Sequence, residues 1–130
     1  MFSFLWTWQN IFVASKSNTQ RTLEYLREEG YVVGMVERYN QFDKQRHDLF
    51  GFIDMIAIKS NKIVGVQSCG GSGYAEHDRK ILDNEVAPQW LESGGDILLI
   101  AWRKLKKKRG GKAMVWAPKI KEYSLEDFDE

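Results

Sequence analysis

The amino-acid sequence predicts an α/β domain in which a mixed central sheet is flanked by helices. Three observations carry this expectation. Element signals run in the order αβββαββ, two strand-like stretches are joined by the short polar turn "KSNK", and "DILLIAWRK" is a nearly continuous apolar run, as in strands covered on both faces.

Each element has its own signal. "SNTQRTLEYLREEG" offers Ser17 or Asn18 as an N-cap, sets Leu23 and Leu26 on one face and stops at Gly30, which predicts a helix. "YVVGMVERY" reads as the first strand. "GFIDMIAI" and "KIVGVQSC" follow as two strands whose separation suits a hairpin, so they are expected to pair antiparallel. "GYAEHDRKILDNEVAPQWLES" carries Ile81, Leu82, Val86 and Trp90 at helical spacing, with Pro88 dividing the run or opening a second short helix, and Gly94-Gly95 ending it. "DILLIAWRK" and its neighbour "KAMVWAPKI" complete the sheet.

With 130 residues, 43% of them hydrophobic, the chain fits one globular domain over residues 1–130. Within it, residues 1–14 form an apolar segment, 15–117 the core and 118–130 an acidic tail. The opening "MFSFLWTWQNIFV" is too short to span a bilayer and lacks the basic start of a signal peptide, so it reads as packing surface, with no membrane role expected. The single cysteine, Cys69, makes neither an internal disulfide nor a zinc cluster, and points to a reducing, cytoplasmic setting.

The formal charge of +1 hides an asymmetry. Five of the 18 acids lie in the last nine residues, leaving 19 bases against 13 acids, or +6, over residues 1–121. The densest basic run, "RKLKKKRGGK", contains the turn signal Gly110-Gly111 between two strands and reads as a basic hairpin tip. It is either a solvated loop or a phosphate-contacting surface.

The hairpin "DLFGFIDMIAIKSNKIVGVQSCG" holds the most informative residues: an acid, Asp54, opens its first strand, and Gln67-Ser68-Cys69 ends its second. This pattern, within the αβββαββ order, resembles the PD-(D/E)XK nuclease superfamily, and within it the archaeal-type Holliday junction resolvases and small phage-like endonucleases. The resemblance covers roughly residues 15 to 117. It implies a restriction-endonuclease-like core, an aspartate where Asp54 stands and an acid-x-lysine triplet where Gln67, Ser68 and Cys69 stand. It also implies a glutamate on the first helix, near Asn18, Thr19 or Gln20. Of the three residues expected in the hairpin, Asp54 is present, whereas the acid and the lysine of the triplet are replaced by Gln67 and Cys69, and the helix glutamate is replaced too.

The chemistry follows from the residue types. Strands that diverge at one end let side chains from both aim at one point, and Mg²⁺ or Mn²⁺ there would take carboxylate and amide oxygens. Asp54 is the principal candidate ligand and Gln67 the second, with Glu37 or Asp48 as auxiliary acid. Cys69 cannot do the work of the missing lysine, so Lys80, on the following helix, is the candidate charge stabiliser. Arg46, Arg79, Lys104, Lys106, Lys107, Lys108 and Arg109 are candidate phosphate contacts. "CGGSG" lacks the spacing of a nucleotide-binding glycine motif but could meet a backbone phosphate, and Cys69 with His77 make an unspecific thiol–base pair.

The expected function is therefore metal-dependent hydrolysis of DNA phosphodiester bonds in junction, branched or duplex DNA, by a homodimer if two cuts are needed. The alternatives are a nuclease fold that has lost catalysis and binds nucleic acid or protein, and an assembly protein using the Trp-rich N-terminus.

Overall fold

The computed structural model describes residues 16–129, so the expectation of an apolar packing segment over 1–14 lies outside the described residues. Helix α1 (Asn18–Glu28) begins where Ser17 Oγ accepts the Gln20 N–H at 3.1 Å, and Gly30, at φ 97°, turns the chain out of it. Its Thr22 and Leu26 are buried against the sheet.

Strands β1 (Val32–Met35), β4 (Met55–Lys59), β5 (Lys62–Gly70), β6 (Asp96–Lys106) and β7 (Met114–Glu122) form one sheet in the order β1-β4-β5-β6-β7. Strands β2 (Arg38–Asn40) and β3 (Gln45–His47) form a separate two-stranded ribbon. The β4–β5 hairpin turns at Ser60 and Asn61, both at positive φ, the twist that joins antiparallel strands with two residues. Strands β5 and β6 pair in parallel because α2 (Tyr74–Leu82) and α3 (Ala87–Glu92) cross over between them. Pro88 sits in the first turn of α3, where its missing N–H is harmless. The fold is thus α/β, a mixed five-stranded sheet flanked by helices.

The sheet separates two cores. Leu26, Met55, Ala57, Val64, Val66, Ile100 and Trp102 pack on the α1 face. Phe52, Ile53, Cys69, Ile81, Ile97, Leu99 and Tyr123 pack on the face of α2 and α3. Close packing there needs Gly65, because a Cβ would lie 2.8 Å from Ile53.

Two expectations change. "YVVGMVERY" is not one strand: β1 leaves the sheet after Met35, and Arg38–Asn40 pairs instead with Gln45–His47. Over its described residues, 118–129, the C-terminal segment is not a tail either. Strand β7 continues to Glu122, the buried Tyr123 N–H donates to Ile97 O at 3.1 Å, and a 3₁₀ turn (Leu125–Phe128) packs Phe128 on the core. Pro118 is tolerated because β7 is an edge strand.

Candidate metal centre

Three segments deliver carboxylates to one end of the sheet, each for a local reason. Asp54 stands just before β4, anchored by its N–H to Val66 O at 2.9 Å. Its own carbonyl accepts from both Val36 (3.0 Å) and Glu37 (3.1 Å), so two residues beyond β1 face one of the neighbouring strand. This is the count of a β-bulge, which re-aims side chains, and it brings Glu37 to Asp54. Asp48 arrives through a tight turn in which Phe50 and Gly51 both hold positive φ (56° and 85°) and Ile53 N–H donates to Leu49 O at 3.0 Å. Left-handed backbone at Phe50 costs about 1–2 kcal/mol. Asn84, between α2 and α3, braces it by donating Nδ2 to Phe50 O at 2.9 Å.

Ligand oxygens of Glu37, Asp48 and Asp54 consequently all lie within 4.8 Å of one another, a group that could hold a metal ion. Gln67, 3% exposed, donates Nε2 to Asp54 Oδ2 at 2.8 Å, and the Ser68 N–H donates to the same oxygen at 2.9 Å. The other end of that amide is unusual: Gln67 Oε1 is buried with no hydrogen-bond partner among the described residues. An orphaned buried polar atom costs about 1–3 kcal/mol, but the end of the amide turned to Asp54 is its N–H, so the oxygens gathered for a cation are those of the three carboxylates. The donor set therefore fits a hard divalent ion.

Lys80 completes the group. It returns from α2 to place Nζ 2.6 Å from Asp48 Oδ2. Burial, then the hydrogen bond and charge of Asp48 and the charge of Glu37, push the Asp54 carboxyl up to about 8 against the lowering by the Ser68 N–H. Burial would raise Asp48 as well, but its bonds to Asp54 and Lys80 outweigh that and hold it below the ordinary carboxylate value. Asp54 is thus the protonated partner, and a metal ion binding there must displace that proton.

The five central candidates, Glu37, Asp48, Asp54, Gln67 and Lys80, meet in one place. The phosphate candidates are spread over other elements. Arg46 is exposed on β3, opposite Tyr39, and Arg79 is exposed on α2, where its charge acts on Asp78. Lys107, Lys108 and Arg109 lie in the β6–β7 turn, whereas Lys104 and Lys106 belong to β6, with Lys104 Nζ 5.2 Å from the Trp116 ring centre. Cys69 is buried, and burial followed by Asp54 pushes its thiol up to about 11, while His77 Nδ1 bonds Gly73 O at 2.8 Å. The thiol–base pair has no support in this geometry.

The residues that sequence reasoning misses are the supporting ones. Thr22 Oγ1 lies 2.7 Å from Ser68 Oγ and accepts the Trp102 indole N–H at 2.9 Å, tying α1 to the strand that carries Gln67. Thr22 and Trp102 are 80 residues apart, a pairing no local pattern announces. Arg103 opens the basic run, but nothing in the sequence announces its place: it packs against Gly71 beside the start of α2, where a Cβ on that glycine would lie 3.2 Å from the arginine's own.

Comparisons with protein-family models, with curated proteins and with solved structures found no match. The site is therefore read from its own chemistry. Among the described residues no helix is long and apolar enough to cross a membrane.

Proposed function

We propose that this protein is a metal-dependent endonuclease that hydrolyses DNA phosphodiester bonds, with junction or branched DNA as its substrate. The observation that carries this reading is the convergence of Glu37, Asp48 and Asp54 at one sheet end, with the Gln67 amide turned to Asp54 and Lys80 held against Asp48. The restriction-endonuclease-like assignment draws support from the helix, the β1-β4-β5 meander and the helical crossover to β6, with the β2–β3 ribbon as an insertion in the meander.

On this reading Asp54 and Asp48 would hold Mg²⁺ or Mn²⁺, with Gln67 as a further ligand once its amide turns over to present the oxygen in place of the N–H that meets Asp54. When bound, such an ion polarises a phosphoryl oxygen and offsets the charge that develops on it. Lys80 donates to the same phosphate, and Glu37, which has no ion pair among the described residues, takes the proton of the attacking water as the P–O ester bond breaks and the departing oxygen takes a proton from solvent. Lys107, Lys108 and Arg109 hold flanking phosphates.

The test is cleavage of a labelled four-way DNA junction with Mn²⁺ and with EDTA, by wild type, Asp54→Asn and Lys80→Ala. Cutting is expected only with metal, with a loss of about 10²–10³-fold in Lys80→Ala, as for one preorganised donor. Cutting that survives Asp54→Asn would sink the site assignment. One observation favours a second reading: a buried thiol, Cys69, stands where the resemblance implies a lysine. Wild type that binds the junction but never cuts it would make the domain a lapsed nuclease that retains binding.

A further inference from the structure

Among the described residues the β2–β3 ribbon has no packing partner that accounts for it. All six of its strand residues are exposed, and short two-stranded ribbons are marginal on their own. Its tip is nonetheless built to a definite shape. Asn40 Oδ1 accepts the Phe42 N–H at 2.8 Å, Asp43 Oδ1 accepts the Gln45 N–H at 3.0 Å, and Lys44 takes φ 57° to close the turn. The side chain presented at that tip is Phe42, 99% exposed.

The two ribbon faces also differ in a useful way. Residues directly opposite share a face, so Arg38 and His47 lie on one side and Tyr39 and Arg46 on the other. His47 is turned to Asp43 at 2.6 Å, whereas Arg38 and Arg46 make no ion pair among the described residues. Each face thus carries one available guanidinium. The Arg38 face lines a groove of about 380 Å³ whose other wall includes Asp48 and Phe50, so it leads directly to the metal centre. Strand geometry gives the ribbon a reach of about 10 Å beyond its root, before the tip.

We propose that this ribbon is a wedge for branched DNA: it enters between two diverging strands, Arg38 and Arg46 each hold a phosphate of one of them, and Phe42 stacks on the unpaired base at the branch. The inference rests on the nucleolytic reading for its choice of polymer, and it adds what recognises the branch. An aromatic tip between two oppositely directed cations suits a fork, because a paired duplex offers no exposed base face to Phe42 without unstacking.

The experiment measures binding in EDTA, where cleavage cannot interfere, to a fluorescein-labelled forked duplex with 2-aminopurine at the branch and to a fully paired duplex of equal length. Wild type should prefer the fork and quench the 2-aminopurine. Phe42→Ala should lose about tenfold in affinity for the fork, lose the quenching and bind duplex unchanged. With Arg38→Ala plus Arg46→Ala, both probes should weaken and the salt slope should fall by about 0.9 on duplex for each phosphate no longer neutralised. Unchanged fork preference and quenching in Phe42→Ala would overturn the wedge, as would an unchanged salt slope in the double arginine variant. Phe42 and both arginines are exposed, and equal melting temperatures would confirm that folding is not what changed. The nucleolytic reading fails separately, by a wild type that prefers forks yet never cuts them with Mn²⁺. The wedge fails alone if cutting is metal-dependent while Phe42→Ala keeps full fork selectivity.

Discussion

At Asp54 the folded chain holds a proton that the unfolded chain releases near its ordinary value of 3.8, because burial and Asp48 raise the folded carboxyl to about 8. Between those values the native state binds the extra proton, so each step up in pH favours unfolding. In EDTA the melting temperature of wild type should fall as pH rises from about 4 to about 8 and then level off, insofar as Asp54 controls it. Asp54→Asn should flatten that dependence and melt above wild type at pH 8. Parallel thermal-melt profiles for the two proteins would exclude Asp54 as the group responsible. At this scale the sequence is informative about which residues matter, since an acid opening one strand and an amide near the end of the next stand out from apolar neighbours. It is silent on their pairing: Lys80 and Asp48 meet across 32 residues, and only the packing of α2 on the sheet brings them together. Nor does any pattern say that the Gln67 amide is satisfied at one end and orphaned at the other.

The β6–β7 hairpin outruns its neighbours. Strand β5 ends at Gly70, paired with Trp102, while β6 continues to Lys106 before the turn that carries Lys107, Lys108 and Arg109. Because β5 and β6 run in parallel, the arm extends past the same sheet end that carries the carboxylates, and under the proposed function its cations hold a phosphate backbone there. Replacing Lys107, Lys108 and Arg109 together by alanine should weaken duplex binding regardless of sequence and reduce the slope of log K against log salt by about 0.9 for each phosphate the arm releases. A slope equal to that of wild type would make the arm a solubility device. Elements with strong periodicity or turn chemistry are legible in the sequence: α1, the β4–β5 hairpin, the α2–α3 break at Pro88 and the arm itself. The ribbon is not, because its six strand residues, Arg38–Asn40 and Gln45–His47, show no apolar alternation and bury nothing. The C-terminal segment reads as a tail because its acids dominate the composition, while the side chains that anchor it, Tyr123 and Phe128, are few and spaced apart.

Across the whole molecule, the ribbon and the carboxylate cluster share their covalent roots: Glu37 immediately precedes β2 and Asp48 immediately follows β3. Both roots are pinned, Glu37 through its N–H to Asp54 O at 3.1 Å and Asp48 through the Leu49–Ile53 turn. Mn²⁺ binding should therefore slow amide hydrogen exchange across residues 38–47 in wild type and leave it unchanged in Asp54→Asn. Equal exchange with and without Mn²⁺ in wild type would show that the two parts are independent. Thermodynamic reciprocity extends the point: if the cation steadies the ribbon, then a fork gripped by the ribbon must tighten the cation by the same factor. Calorimetric titration of Mn²⁺ with and without the forked duplex measures that factor. A protein wired in this way acts as a coincidence detector, assembling its chemistry where ion and branch arrive together and staying slack where either is present alone.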